Sequence, residues 1–361
     1  MMQKVYIFGA HSRARTLAAY LEYLSDCRVK AYLYDNEEPN PNKIGSVPVF
    51  RLSRDVQVDT VCPVYIGTRG AVHSQITETL KSFGFKDIYP VTAELDRRFR
   101  NAYLEKYFKS TGREFLKIEM LEEAGDVGKP EYQETMVYVV KSALDRPLER
   151  EYPLAAYERI IQAGAELTDV RLYPGVLTDN VGENISAKNR QYCELTAMYW
   201  IWKHAEAEVV GMAHYRRHFI LPENWTRLMQ EHEVDVILPT PLYVSPDIAG
   251  NYKNRHDPVD WDFLMYYLKE CALPEDREAE AFFEGNLYSP CNMFIMKRRV
   301  LNEFCAWLFP ILEAVEAHSG RKEDGYQNRY PGFLSERLLT FYFEKKRDRY
   351  KIIYADKNFL P

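Results

Sequence analysis

The amino-acid sequence predicts an α/β protein built from two domains. Short apolar segments alternate with segments whose apolar residues recur at helical spacing, a pattern typical of parallel sheets covered by helices. The chain has 361 residues, which is long for a single hydrophobic core. A charged helical stretch and a segment with two glycines and a proline, residues 125–130, separate two such series. We therefore expect one domain at residues 1–124 and a second at 131–361.

The first predicted domain has a regular strand–helix–strand order. Its first strand ends at the tight turn Gly9–Ser12, and its second strand ends at Asp35-Asn36. Because strands alternate with helices, we expect a parallel sheet. Predicted strands cover residues 5–8, 29–34, 64–66 and 88–90, and predicted helices cover 13–24, 73–83 and 97–123.

This first domain resembles a Rossmann-like nucleotide-binding domain, similar to the N-terminal head of some sugar acyltransferases. The dinucleotide fingerprint needs three spaced glycines for close approach of the backbone to a pyrophosphate. Here Gly9 is followed by Ala10, His11 and Ser12, so NAD binding is not expected. A regulatory, docking or substrate-positioning role stays open.

The second predicted domain opens on the apolar segment MVYVVK and contains three further apolar segments. Ser186 suits a helix N-cap, and Leu195, Met198, Tyr199 and Trp202 follow it at the spacing of a buried helix face. Residues 177–185 and 250–258 have the polar character of loops. Predicted strands cover 136–141, 209–213, 234–238 and 292–296, and predicted helices cover 152–164, 186–204, 300–317 and 335–345.

The bulk composition excludes several classes of protein. The net charge of −6 argues against a general nucleic-acid binder, which would be basic. The six cysteines show no metal-site or disulfide spacing, which favours reduced thiols in the cytoplasm. The first residues do not form a signal peptide, and no segment is long and apolar enough for a membrane span. We expect a cytoplasmic protein whose contact with a membrane, at the inner face, would be peripheral.

The most informative segment is the strand at 209–213, which ends abruptly in His214-Tyr215-Arg216-Arg217. Ligands of α/β proteins bind where strands end, and arginine binds phosphate through two parallel hydrogen bonds. Side chains alternate along a strand. If the strand continues straight, His214 and Arg216 share one face and Tyr215 and Arg217 the other, and only a bend would bring both arginines to one ligand.

A second predicted anion site lies at the start of the helix that follows residue 185. Free amides at a helix N-terminus attract phosphate, and Lys188 there conflicts with the helix dipole unless an anion binds. Four polar residues form this predicted site: Asn184, Ser186, Lys188 and Asn189. One turn further, Glu194 is expected to pair with Arg190 at i, i+4.

Four segments together resemble the capsular polysaccharide synthesis family of bacterial glycosyltransferases, over the C-terminal two thirds of the chain. These segments are NISAKNRQYCELTAMYWIWKH, GMAHYRRHF, CNMFIMKR and GFLSERLLT. The resemblance implies a GT-A-like nucleotide-sugar-binding α/β domain. It also implies a hexosyltransferase that moves a sugar such as galactose, in pyranose or furanose form, from a nucleoside-diphosphate donor, UDP-linked, to a growing capsular or exopolysaccharide. The acceptor would be lipid-linked or an oligosaccharide.

The resemblance also implies roles for individual residues. Glu336 would act as the base that takes a proton from the acceptor, with His256 as the alternative. Asn292 would contact the donor sugar, and Lys141 and Ser142 would lie near the nucleotide. The diphosphate would be surrounded by residues of the two predicted anion sites: Ser186, Lys188, Asn189, His214, Arg216 and Arg217. Asn184 and Tyr215 are further predicted substrate-binding residues.

Many GT-A enzymes hold a metal ion with an Asp-x-Asp motif at the corresponding strand end, where this chain has no carboxylate. Asp260-Trp-Asp262 follows Pro258 and fits the start of a helix better than a metal site. No metal-ligating residue is therefore predicted, and Mn²⁺ or Mg²⁺ is left only as a companion of the donor diphosphate. The alternative function is a non-catalytic sugar-nucleotide or glycan-binding protein of a capsule assembly complex.

Overall fold

The computed structural model describes residues 2–53, 56–122 and 134–361, and it confirms the α/β prediction. Contacts divide the chain into two compact units. The first unit is Met1–Phe115 with Tyr243–Ser245, and the second is Leu116–Leu242 with Pro246–Pro361. The predicted linker at 125–130 and the predicted domain limits at 124 and 131 lie outside the described residues.

The first unit contains a six-stranded sheet in the order β3-β4-β2-β1-β5-β6. All neighbours pair in parallel except the short β3, and this is the strand order of a doubly wound sheet. The strands are β1 (Gln3–Phe8), β2 (Cys27–Tyr34), β3 (Lys43–Ile44), β4 (Val47–Arg51), β5 (Val64–Ile66) and β6 (Ile88–Pro90); the helices are α1 (Ser12–Leu24), α2 (His73–Ser82) and α3 (Ala93–Ser110).

The helix predicted at 97–123 is shifted towards the N-terminus. The Thr92 side chain accepts a hydrogen bond from the Leu95 N–H at 3.2 Å and caps the helix at its start. The helix stops at residue 110, two residues before Gly112, whose φ is +71°. Both limits are therefore set by short-range capping, which charge and spacing alone did not reveal.

The second unit contains an eight-stranded mixed sheet in the order β11-β16-β12-β15-β10-β7-β8-β9. Its strands are β7 (Thr135–Ser142), β8 (Glu158–Ala163), β9 (Leu177–Thr178), β10 (Val209–His214), β11 (Phe219–Ile220), β12 (Val236–Pro239), β15 (Phe294–Lys297) and β16 (Ile352–Lys357), and the short strands β13 (Leu242–Tyr243) and β14 (Leu287–Tyr288) lie outside this sheet. The helices are α4 (Asn189–Tyr192), α5 (Leu195–His204), α6 (Trp225–Glu231), α7 (Ile248–Lys253), α8 (Pro258–Glu270), α9 (Ala279–Phe283), α10 (Arg298–Ser319) and α11 (Tyr330–Lys345).

Strand direction determines which loops meet at one edge of this sheet. β7, β8 and β10 run parallel, so their carboxyl ends lie side by side. β15 pairs with β10 in the antiparallel sense, so the residues that precede β15 arrive at the same edge. Chain ends of four strands therefore converge there, which is where ligands bind in open α/β sheets.

Four predicted elements in the second unit differ from the structure. Residues 158–163, predicted as part of a helix, form strand β8, where Ile160 and Ile161 pair with β7 and suit a pleated surface. The helix predicted at 186–204 is interrupted at Cys193, whose φ is +50°. The helix predicted from residue 335 already begins at Tyr330, and residues 250–253 of the loop predicted at 250–258 belong to α7.

Among the described residues, no helix combines the length and the apolar character needed to cross a lipid bilayer.

Gly211 tests the packing of the central strands. It lies in β10 opposite Val137 of β7 and Ile295 of β15, and a Cβ atom there would lie 2.8 Å from Val137 Cγ2 and 2.9 Å from Ile295 Cγ1. We expect Gly211→Ala to lower the free energy of unfolding by about 1–3 kcal/mol because it overpacks the core. Urea denaturation measures this change. The matched control is Gly325→Ala, where the new methyl group meets open space; an equal loss in both variants would contradict the packing argument.

Candidate functional site

The converging chain ends of the second unit surround a cavity of about 630 Å³. This volume lies in the range of sites that enclose small molecules. The ends of β7 and β10, the α4–α5 segment, the turn before β15 and the start of α11 all contribute. Its lining includes four arginines and three carboxylates: Arg190, Arg216, Arg217, Arg329, Asp145, Glu194 and Glu336.

The segment after β10 is a tight turn. The His214 N–H donates to the Arg217 carbonyl at 3.0 Å, and the Arg217 N–H donates to the His214 carbonyl at 2.8 Å. The chain therefore bends at the strand end, and His214, Tyr215, Arg216 and Arg217 all line the cavity. The alternation expected for a straight strand does not apply here.

Arg216 and Arg217 nevertheless differ in their contacts. The Arg216 guanidinium donates to the Tyr215 hydroxyl at 2.9 Å, to the Leu360 carbonyl at 3.1 Å and to the Pro147 carbonyl at 3.0 Å. Most of its donors thus hold neighbouring segments, and binding of the diphosphate by Arg216 stays a prediction. Arg217 packs over the Phe359 ring at 5.4 Å and has no carboxylate partner within the described part of the chain.

Two further arginines lie at the cavity. Arg190 is exposed, and in residues 2–53, 56–122 and 134–361 it forms no ion pair with Glu194, so the predicted i, i+4 pair is wrong. The interruption at Cys193 removes the helix geometry on which that pair depended. Sequence reasoning did not single out Arg329. Its Nε donates to Cys193 Sγ at 3.0 Å. In the sequence, only its position three residues before the GFLSER segment indicated that it could lie at the site.

Two carboxylates of the cavity are held by the turn that precedes β15. Glu336 Oε1 accepts from the Cys291 N–H at 3.0 Å, and its Oε2 accepts from Arg337 Nη1 at 3.1 Å. Burial raises the pKa of Glu336, Arg337 opposes the rise, and the nearby charge of Glu194 adds to it. Glu194 Oε1 accepts from Asn292 Nδ2 at 2.8 Å.

Asn292 itself is fully buried and does not line the cavity. Its Nδ2 donates to Gly332 O at 3.0 Å as well as to Glu194. Both hydrogens of its amide are directed to protein acceptors, while its Oδ1 has no hydrogen-bond partner in the described chain. Contact of Asn292 with the donor sugar stays a prediction. The neighbouring Cys291 lines the cavity, and its carbonyl lies 2.6 Å from His214 Nε2.

The predicted anion site at the helix start is also different from expectation. Ser186 is fully buried, follows the N-cap Ile185, and donates to Asp179 Oδ1 at 2.5 Å. Lys188 forms an ion pair with Glu316 at 2.7 Å, away from the cavity. Asn184 donates to Gly182 O at 2.8 Å. These three residues therefore do not meet a ligand in this cavity.

Asn189 is the only residue of that predicted group that lines the cavity. Its Nδ2 donates to the Cys193 carbonyl at 2.7 Å and to Thr196 Oγ1 at 2.9 Å. Thr196 in turn donates to Asp179 Oδ2 at 2.6 Å. Asp179 also accepts from the Gly164 and Ala165 N–H groups at 2.8 and 3.0 Å, so one buried carboxylate fixes the wall that carries Asn189.

The end of β7 contributes Ser142 to the cavity, whereas Lys141 is not among its lining residues. Lys141 Nζ lies 5.6 Å from the centre of the Tyr215 ring. The Ser142 N–H donates to Asp145 Oδ2 at 2.7 Å. Burial raises the pKa of Asp145, and this hydrogen bond opposes the rise.

His256 lies outside the cavity lining. It is buried, and its ring stacks on Phe333 at 4.1 Å and on Tyr326 at 5.6 Å. Burial lowers the pKa of His256 to about 4, and Arg337 contributes to the decrease. The prediction of a polar loop around Tyr252 and His256 is wrong, because both side chains pack inside the protein.

The expectation that this chain supplies no metal-ligating residue stays a prediction. Each carboxylate of the cavity accepts a hydrogen bond from a protein donor, Asp145 from Ser142, Glu194 from Asn292 and Glu336 from Cys291. Across the described ranges, no group of three His, Cys, Asp or Glu side chains is placed to hold a metal ion. The acids of the downstream Asp-x-Asp segment pair with lysines instead, Asp260 with Lys322 and Asp262 with Lys253.

Asp179 tests whether this wall is held as described. We expect Asp179→Asn to lower the free energy of unfolding by about 2–3 kcal/mol, because the amide NH₂ would face donors and a charge-assisted network would be lost. Thermal and urea unfolding measure the change. The exposed Asp169 offers the same substitution as a control, Asp169→Asn, with little expected effect. Equal stability of the two variants would show that the network is dispensable.

The chain is similar in fold to solved structures and matches a family model. The apo structure of the WbbM bifunctional glycosyltransferase is similar at a TM-score of 0.55 and 24% sequence identity, over 63% of this chain and 45% of that chain. The chain thus aligns with less than half of that protein, and the likeness describes the fold. No curated protein matches. The family model "Domain of unknown function (DUF4422)" matches residues 149–347, more than half of the chain, and the chain therefore belongs to the DUF4422 family.

Proposed function

We propose that the protein is a glycosyltransferase that uses a nucleoside-diphosphate sugar as donor. The observation that carries the proposal is the cavity at the sheet edge, which combines arginines without carboxylate partners with partly buried carboxylates. Transfer from such a donor needs cations for the leaving diphosphate and a base for the acceptor hydroxyl. The likeness in fold to a protein named as a bifunctional glycosyltransferase supports the same reaction class.

The donor diphosphate would bind to Arg217, Arg190 and Arg329. All three line the cavity, and none forms an ion pair with a carboxylate in the described ranges. A guanidinium binds phosphate oxygens bidentately and keeps its charge at any working pH. These arginines would stabilise the negative charge that develops on the diphosphate as it leaves, so that Mn²⁺ or Mg²⁺ would enter, if needed, only with the donor.

Glu336 would act as the base. Burial raises the pKa of Glu336 towards neutral pH, and such a pKa suits a carboxylate that takes up a proton during the reaction. In the step, Glu336 removes the proton of an acceptor hydroxyl while that oxygen forms a bond to the anomeric carbon. The bond between this carbon and the diphosphate oxygen breaks, and the nucleoside diphosphate leaves with the electron pair.

The finer parts of the proposal follow from the resemblance of the four sequence segments. They are a UDP-linked donor, galactose in pyranose or furanose form as the transferred sugar, and a growing capsular or exopolysaccharide as acceptor, lipid-linked or as an oligosaccharide. A cytoplasmic site of action, at the inner face of the membrane, agrees with such an acceptor. The role of the first unit stays an open part of the proposal.

The alternative is a sugar-nucleotide or glycan-binding protein of a capsule assembly complex that does not catalyse transfer. The observation in its favour is the strand end at His214–Arg217, which has no carboxylate where many GT-A enzymes hold a metal. Only the glycosyltransferase would transfer the sugar to an acceptor, whereas the binding protein would hold it unchanged. Tight binding of a sugar nucleotide without transfer to any acceptor of a broad panel would favour the binding protein.

Substitution of Arg217 tests whether this residue binds the donor diphosphate. We expect Arg217→Ala to weaken UDP binding about 10-fold or more, because it removes a charge-assisted contact to the diphosphate. Isothermal titration calorimetry with UDP, in EDTA and in Mn²⁺, measures the affinity and any need for metal. The control is Arg171→Ala, the same change at an arginine outside the cavity. Unchanged UDP affinity in the Arg217 variant would remove Arg217 from the site.

Substitution of Glu336 tests its proposed role as the base. We expect Glu336→Gln to reduce kcat by roughly 100- to 10,000-fold because the base is lost, while UDP binding stays near the wild-type value. In the wild type, kcat/KM should fall as the pH drops through the raised pKa of Glu336, above its ordinary value of 4.5, since the protonated carboxyl cannot accept a proton. The variant should lack this acid limb. Transfer assays with a panel of nucleotide sugars and glycan acceptors measure kcat and the pH profile of kcat/KM. The control is Glu284→Gln at an exposed glutamate. Undiminished turnover by Glu336→Gln would exclude the base role.

A further inference from the structure

The cavity contains a carboxylate for which the proposed reaction has no role so far. Glu194 lines the cavity, yet no Lys, Arg or His forms an ion pair with it in the residues that the structure describes. A half-buried carboxylate that no cation contacts is costly to maintain, and the charge of Arg329 acts on it only from beyond ion-pair distance. Its presence among arginines that would bind a diphosphate therefore calls for a ligand group of different chemistry.

The contacts of Glu194 leave one side of the carboxylate open. Its Oε1 accepts from Asn292 Nδ2 at 2.8 Å. The second hydrogen of that amide is directed to Gly332 O at 3.0 Å, so the amide cannot turn without losing both bonds. Within the described chain, no protein donor reaches Glu194 Oε2. The carboxylate is thus held firmly through one oxygen while the other keeps its acceptor capacity.

The backbone around Glu194 is strained. Among the described residues, only four that are not glycine have a positive φ. Cys193 immediately precedes Glu194, Asn292 holds it, and Cys291 lies between Asn292 and the cavity, with φ values of +50°, +49° and +78°. The fourth is Glu233. Such conformations cost free energy and persist mainly where a functional geometry requires them.

We propose that Glu194 binds hydroxyl groups of the transferred sugar through Oε2, and that Asn292 is the positioning residue that orients it. An ionised carboxylate only accepts hydrogen bonds. It therefore repels the diphosphate and attracts hydroxyl groups, which the donor carries on its ribose and, in larger number, on the transferred sugar. This inference rests on the proposed function and adds to it the group that distinguishes the sugar from the nucleotide.

The experiment compares UDP with UDP-galactose by isothermal titration calorimetry in the absence of acceptor. For Glu194→Gln we expect the affinity for UDP-galactose to fall roughly 10- to 100-fold, the equivalent of a hydrogen bond to a charged group, while the affinity for UDP stays unchanged. Asn292→Ala should give the same selective loss, because Glu194 would no longer be oriented. The control is Glu183→Gln, which changes a carboxylate that contacts Lys203 and Tyr199 instead of lining the cavity.

Glu194→Asp keeps the experiment decisive if the glutamine variant does not fold. It retains the charge but withdraws the carboxylate by about one bond, and we expect a smaller loss confined to UDP-galactose. Unchanged UDP-galactose affinity in either variant overturns the proposal. An equal loss of affinity for both ligands also overturns it, since Glu194 would then bind the ribose or shape the whole cavity. A wild-type protein that binds neither UDP nor any UDP-sugar of the panel overturns the proposed function itself, and this inference falls with it.

Discussion

The architecture of the site depends on one buried carboxylate, Asp179. It accepts hydrogen bonds from two backbone N–H groups after β8 and from the hydroxyls of Ser186 and Thr196. These donors belong to three segments that are separated in sequence, so a single charge fixes their relative positions. Thr196 extends the network to Asn189 at the cavity. Buried networks of this kind specify one arrangement only when every member is satisfied.

The opposite wall depends on the turn before β15, where Cys291 and Asn292 act as a junction. Their polar groups reach His214 at the end of β10, Glu194 before α5, and Gly332 and Glu336 in α11. The left-handed conformations of the two residues cost free energy, which the hydrogen bonds to three elements offset. Asp179 and this junction together explain how a mixed sheet, whose strands run in both directions, presents a defined set of polar side chains at one edge.

Local sequence was sufficient for most strands and for the polar end of β10, because a buried strand of a covered sheet is a continuous apolar run that stops at charge. It was insufficient for side-chain roles. Arg216 and Arg217 are adjacent and chemically identical. Their contacts differ only because of the turn and because the distant segment at Leu360 meets Arg216. Ser186 resembled a cap because the sequence does not show that its hydroxyl donates to Asp179, seven residues earlier. Glu194 resembled half of a helical ion pair because nothing in the sequence revealed the left-handed Cys193.

Arg216 has a consequence for how the site can diversify. Beyond its bond to Tyr215, its guanidinium donates to main-chain carbonyls of residues 146, 147 and 360, and every amino acid carries such a carbonyl. The rim segments can therefore exchange their side chains during evolution while the same guanidinium keeps their backbones in register. Related proteins could alter the chemistry at the mouth of the cavity, and with it the molecules admitted, without rebuilding the scaffold that supports it.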